Sequence, residues 1–135
     1  MTYLLDTNVV SELRRPSPDP KVRDWFATVA SGDLHLSVLV VGEIQQGIER
    51  LRPRDPEQAN SLAGWLEGLR GKFADRIAPV SLPVALAWGR LNAANPLPVV
   101  DGLLAATALA HDWTLVSRNE RDLSRTGVRV INPFR

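Results

Sequence analysis

The stretch LLDTNVVSEL, residues 4–13, decides how this chain is read. An apolar run delivers Asp6, Thr7 and Asn8 before the apolar pattern resumes at Val9. Tyr3–Leu5 has the character of a buried β-strand, which places Asp6 at the carboxyl end of a first strand. Open α/β sheets put their ligand sites at that edge. The competing reading is local: Asp and Thr are favoured helix N-caps, so Asp6 or Thr7 would merely start the next helix. The choice rests on what the remainder of the chain brings to the same edge.

Outward from this stretch, apolar runs alternate with helical patterns. Val9–Arg14 reads as a short helix stopped by PSPDP at residues 16–20, and Lys21–Ala30 as a second. Ser31–Asp33 forms a turn before the strand LHLS (34–37). From Val38 the period becomes helical, with Val41, Ile44, Ile48 and Leu51 recurring to about Arg52. PRDP (53–56) breaks that helix, and another spans Glu57–Phe73 with Leu62, Leu66 and Leu69 on one face. RIAPVSL (76–82) reads as a strand whose Pro79 belongs near a sheet edge. Helices follow at Val84–Ala94 and, after NPLPVV, at Asp101–His111; strands at Thr114–Ser117 and Val128–Asn132 close the chain. Short strands separated by helices imply βαβ units. The expected fold is a single α/β domain over residues 1–135, a mostly parallel sheet flanked by helices.

Composition limits the chemistry. With 44% hydrophobic and 23% charged residues, the chain is ordinary for a globular protein. No run is long enough to span a membrane, and no basic region precedes the first apolar run; a cytoplasmic location is expected. The absence of cysteine excludes disulfides, thiolate metal sites and a cysteine nucleophile. Of 16 basic residues 14 are arginine, which suits phosphate recognition, although genomic base composition explains such a bias equally well. The net charge of +1 points to no polyanion by itself, so any nucleic-acid contact must come from a local patch.

Acidic residues recur where that edge would be. Glu43 lies in the first turns of the helix after the second strand, and Asp101 opens the alanine-rich helix. The loop SRNERDL (117–123), after the strand TLVS, carries Asn119, Glu120 and Asp122. A parallel sheet gathers strand ends and helix starts at one edge, so Asp6, Glu43, Asp101 and the Asn119–Asp122 loop converge. Clustered carboxylates repel unless cations neutralise them. Oxygen donors without His or Cys suit Mg²⁺, with Mn²⁺ able to substitute. Taken singly, Glu43 reads as a solvated helix residue and Asp101 as a helix-start acid favoured by the macrodipole; their joint placement favours the metal site. Asn8 and Ser117 are placed to orient a carboxylate or a water, or else serve turns and caps. Asp6 is therefore read as one corner of a metal site rather than as a cap.

Taken in order, YLLDTNVVSEL, VVGEIQQGIERL, PLPVVDGLLAATALAHDWTLVSRNERDL and GVRVINPF resemble PIN-domain ribonucleases. More narrowly they are similar to VapC toxins of toxin–antitoxin pairs, including the FitB-like branch. The resemblance runs over essentially the whole chain and is weakest between Asp55 and Asp75. It implies a three-layer α/β/α sandwich in which Asp6, Glu43 and Asp101 hold Mg²⁺ or Mn²⁺ for RNA hydrolysis, Asp6 and Asp101 most directly. It also implies a cognate antitoxin that inserts into the site, and a homodimer, alone or within a larger toxin–antitoxin complex. Asp122 matches the family's later acid, whereas Asn119 stands where many members carry aspartate, which argues against two tightly held metals.

Arg14, Arg15, Arg118, Arg121 and Arg125 flank the acidic edge and form the expected RNA-phosphate contacts, the alternative being surface solvation. Trp25, Trp65, Trp88 and Trp113 read as core or subunit interface rather than base-stacking platforms, and His35 and His111 as structural. Two other functions compete. A catalytically silent PIN fold would act only as a protein-binding partner. A phospho-acceptor signalling domain would need a lysine after a late strand, where neither Lys21 nor Lys72 falls. A dehalogenase-type phosphatase would need an aspartate where Asn8 stands.

Overall fold

The computed structural model describes residues Met1–Arg135. Five strands form one sheet: β1 (Tyr3–Leu5), β2 (Leu34–Ser37), β3 (Ile77–Ala78), β4 (Thr114–Val116) and β5 (Val130–Ile131). Their order is β3-β2-β1-β4-β5 and every pairing is parallel. Seven helices accompany them: α1 (Thr7–Arg14), α2 (Pro20–Ala27), α3 (Val38–Leu51), α4 (Pro56–Lys72), α5 (Leu82–Ala94), α6 (Val99–His111) and α7 (Glu120–Ser124). A 3₁₀ turn occupies Ser31–Asp33. No helix is long and apolar enough to cross a membrane.

The three central strands explain the continuous apolar runs of the sequence. Leu4, Leu5, Leu36, Leu115 and Val116 are all buried, as strands covered on both faces must be. Right-handed crossovers then assign the layers. The chain steps from β1 through β2 to β3 in one direction, carrying α1–α4 over one face. It then crosses back to β4 and β5, carrying α5–α7 over the other. This is the expected α/β/α sandwich. Because progression reverses about β1, the carboxyl ends of neighbouring β1 and β4 flank the crevice where such sheets bind ligands.

Beyond the earlier end of α2 at Ala27 and the shortening of β5 to Val130–Ile131, three elements depart from the sequence expectation. The strand foreseen at 76–82 is only Ile77–Ala78. The hydroxyl of Ser81 accepts the Val84 N–H and Pro83 sits in the first turn, so the apolar tail of that run becomes α5 instead. β3 is an edge strand and Pro79 follows it directly, as a residue without an N–H requires. The SRNERDL segment is not all loop: Glu120–Ser124 forms α7. Finally, α6 begins at Val99, so Asp101 lies within its first turn rather than opening it.

Small residues in α6 serve tight packing, as their run suggests. Gly102, Ala105, Ala106 and Ala108 are buried, and a Cβ on Gly102 would stand 3.2 Å from the Trp88 ring of α5. Trp25, Trp65 and Trp113 pack at the margin of the core. His35 and His111 both lie against Trp113, with ring centroids 4.4 and 4.2 Å away.

Candidate active site

Asp6 immediately follows β1 and is 7% exposed. Its Oδ1 accepts the Asn8 N–H at 2.7 Å, so it does cap α1. Its Oδ2 accepts the Ser117 hydroxyl at 2.6 Å, bridging the ends of β1 and β4. The two readings of Asp6 were not alternatives; one carboxylate caps the helix and still faces the crevice. Ser117, fully buried, also accepts the Asn119 N–H at 3.0 Å, which fixes the turn into α7.

A cavity of ≈ 270 Å³ opens at this point, lined by Asp6, Thr7, Asn8, Glu43, Asp101 and the polar face of α3. Glu43 enters from α3, where the Ser37 hydroxyl caps the first turn by accepting the Leu39 N–H. Its Oε1 accepts the Thr7 hydroxyl at 2.5 Å, which ties α3 to the start of α1. Asp101 enters from α6. Its carboxyl is held above the usual range, first by burial and then by the negative charges of Asp6, Glu43 and Asp122. Asp6, Glu43 and Asp101 thus line one cavity.

Asn119 and Asp122 do not line the cavity. Asn119 precedes α7 without a side-chain cap bond, and Asp122 is exposed and reaches Asp101 only as a charge. Asn8 contributes through its backbone N–H, its side chain being exposed. Of the arginines, Arg15 and Arg118 meet in a separate cleft, while Arg14 and Arg121 line neither concavity. Sequence reading missed Thr7, Gln46, Gly47 and Arg50 among the cavity's lining. Glu43, Gln46, Gly47 and Arg50 stand at i, i+3, i+4 and i+7, one helical face. That spacing was the available signal.

The donor set fits a hydrated divalent cation. Asp6, Glu43, Asp101 and Thr7 offer carboxylate and hydroxyl oxygens, beside the Asn8 and Gln46 amides and the Arg50 guanidinium, and positive charge would relieve the repulsion that adds to burial in raising Asp101. No three acidic or imidazole side chains are gathered tightly enough to form a ready-made ligand cluster. Mg²⁺ keeps several of its waters and does not demand one.

The family model for the PIN domain matches residues 3–128. The chain belongs to the PIN-domain family. PIN-domain ribonucleases generally depend on a divalent metal. Toxin FitB of Neisseria gonorrhoeae is 33% identical to this PIN domain over 137 residues, with 97% of each chain covered. The VapC ribonuclease Y4jK of Sinorhizobium fredii is 29% identical over 137 residues, covering 97% of this chain and 96% of its own. A structure of FitAB bound to an IR36 DNA fragment superposes on this PIN domain with a TM-score of 0.90 at 31% identity. It covers 99% of this chain and 96% of that one.

Proposed function

We infer that this PIN domain is a metal-dependent endoribonuclease that acts as the toxin of a toxin–antitoxin pair. One observation carries the reading: carboxylates from three separate elements, Asp6 after β1, Glu43 of α3 and Asp101 of α6, line one cavity beside Arg50. Relatives of full length named as a toxin and as a ribonuclease support it. A phospho-acceptor site gains no support, since neither Lys21 nor Lys72 lines the cavity.

In this reading Asp6, Glu43 and Asp101 hold Mg²⁺, or Mn²⁺ in its place. When bound, the cation supplies Lewis-acid charge at the phosphodiester and lowers the pKa of water. The remaining work falls to the chain. The Ser117 hydroxyl and the Asn8 N–H aim the Asp6 carboxylate, and the Thr7 hydroxyl aims Glu43. Arg50, without an acidic partner of its own, meets the substrate phosphate at the cavity wall and offsets charge developing on the leaving oxygen. Substrate is RNA and the location is cytoplasmic. The chain pairs with itself as a homodimer and with a cognate antitoxin that covers the site; the likeness to the FitAB structure supports the two-protein pairing.

The test is metal-dependent cleavage of a mixed RNA pool by the purified protein and by Asp101→Ala. Cleavage that requires Mg²⁺ or Mn²⁺ and disappears in the variant is expected. Equal cleavage by both proteins, or cleavage indifferent to EDTA, would remove the acidic cavity from the reaction.

A further inference from the structure

A second concavity, of ≈ 520 Å³, lies between the loop joining α1 to α2 and the turn that leaves β4. Its walls carry Glu12, Arg15, Asp19, Arg23 and Arg118 among prolines and a serine. Glu12 is 7% exposed, a costly place for an unpaired charge. Its Oε2 accepts the Asp19 N–H at 2.9 Å and its Oε1 accepts Arg15 Nη1 at 3.4 Å. This one carboxylate thus pins the proline-rich loop and anchors Arg15 at the cleft. The Asp19 carboxylate is engaged by the Lys21 N–H as the cap of α2.

The arginines are less well satisfied than the acids. Arg23 has only exposed Asp24, at 3.5 Å. Arg118 has no acidic partner; its guanidinium lies 3.8 Å over the Phe134 ring, which restrains it while leaving its donors open. Three guanidinium groups therefore face two carboxylates that backbone N–H groups already engage. Guanidinium forks match phosphate oxygens in pairs.

Position favours a nucleic-acid phosphate over an acidic peptide. Arg118 directly follows Ser117, whose hydroxyl holds Asp6. Arg15 stands at the far end of α1 from Thr7, about 12 Å along the helix at 1.5 Å per residue. The cleft therefore lies beside the acidic cavity, its Arg118 one residue along the chain from the Ser117 hydroxyl that donates to Asp6 of that cavity. We propose that this cleft binds a backbone phosphate of the RNA strand flanking the scissile bond. Arg118 and Arg23 are its anion ligands, and Glu12 is the positioning residue for Arg15 and the loop. The proposal rests on the ribonuclease reading and adds a specific second point of attachment for the same strand.

The experiment measures binding of an RNA oligonucleotide by fluorescence anisotropy across a salt series in the Asp101→Asn background. Arg118→Gln and Arg23→Gln are compared with Arg70→Gln, a charge-matched change on the exposed surface of α4. Arg118→Gln and Arg23→Gln should each weaken binding about tenfold and flatten the salt slope by about one ion, with Arg70→Gln unchanged. In the cleaving protein their loss should fall mainly on KM. Affinity and slope equal to those of Arg70→Gln would overturn the subsite while leaving the nuclease intact. RNA neither bound nor cut by the wild type would overturn both readings. RNA binding unaffected by Arg118→Gln, with polyglutamate binding abolished, would make the cleft a protein-docking surface and also overturn the proposal.

Discussion

The hydroxyl of Ser117 donates to Asp6 Oδ2 at 2.6 Å, joining residues 111 positions apart at the ends of adjacent central strands. A short hydrogen bond to a buried carboxylate belongs to the stronger class, and losing one costs about 1.5–3 kcal/mol. Ser117→Ala should lower the urea midpoint accordingly. It should also weaken metal-dependent cleavage by about 10- to 100-fold, because Asp6 would lose the group that aims it. A variant as stable as wild type, with the same Mg²⁺ requirement, would show that the Asn8 N–H alone suffices.

Asp101 is burdened by its neighbours. Its carboxyl in the folded protein protonates above the ordinary value of 3.8, because of burial and then the charges of Asp6, Glu43 and Asp122. The folded state therefore binds this proton more tightly than the unfolded chain does. That contribution to stability is complete below the unfolded value and is lost as pH rises through the raised one. Above the raised value the metal-free protein carries the full repulsion. Asp101→Asn should melt higher than wild type in EDTA, while gaining less from added Mg²⁺ or Mn²⁺. Equal melting in EDTA and an equal gain with metal would mean that Asp101 neither suffers the repulsion nor binds the ion.

Asp6, Glu43 and Asp101 were legible because each follows a strand-and-helix grammar: a strand end, an early helical turn and a helix start in a parallel sheet. α7 was hidden because five residues, Glu120–Ser124, are too few to establish a period. The shortened β3 has a different cause. RIAPVSL reads as one apolar run, yet Ser81 and Pro83 carry a helix-start signature that prevailed locally. Glu12 was invisible as a buried acid. Its partners lie in an irregular loop whose path no spacing rule specifies. The separation of Arg15 and Arg118 from Arg14 and Arg121 likewise depends on which way neighbouring side chains turn, a tertiary outcome.

Arg50 shares the cavity with three acids yet makes no ion pair, and its side chain is exposed. A cation so placed contributes little to folding; surface changes of this kind usually stay within about 0.5 kcal/mol. Arg50→Gln should leave the urea midpoint nearly unmoved while lowering kcat/KM by about 10- to 100-fold, about 1.4–2.7 kcal/mol of transition-state stabilisation. The decisive comparison is Arg50→Lys. A point charge without the planar fork should recover only part of the loss. Full activity in Arg50→Gln would place the phosphate elsewhere along the edge.

His35 gives the fold an acid-sensitive point outside the site. Its ring lies against Trp113, and its Nδ1 is buried without a partner. Burial, more than any other influence, holds its pKa below 6.5; Arg76 and His111 push the same way, while Asp75 and a hydrogen bond involving the Asp33 backbone oppose them. The sign follows directly. Above the unfolded value of 6.5 the ring is neutral in both states and its contribution is complete. As pH falls below that value the unfolded chain takes up a proton that the folded chain resists, so stability declines toward the depressed value. His35→Phe keeps an aromatic ring against Trp113 and removes the proton. Urea midpoints between about pH 5 and 7.5 should therefore fall less steeply for His35→Phe than for wild type. The other ionisable side chains are common to both proteins, so the difference between them isolates His35 and its immediate neighbours. Parallel slopes would show that His35 is not the source of the acid sensitivity.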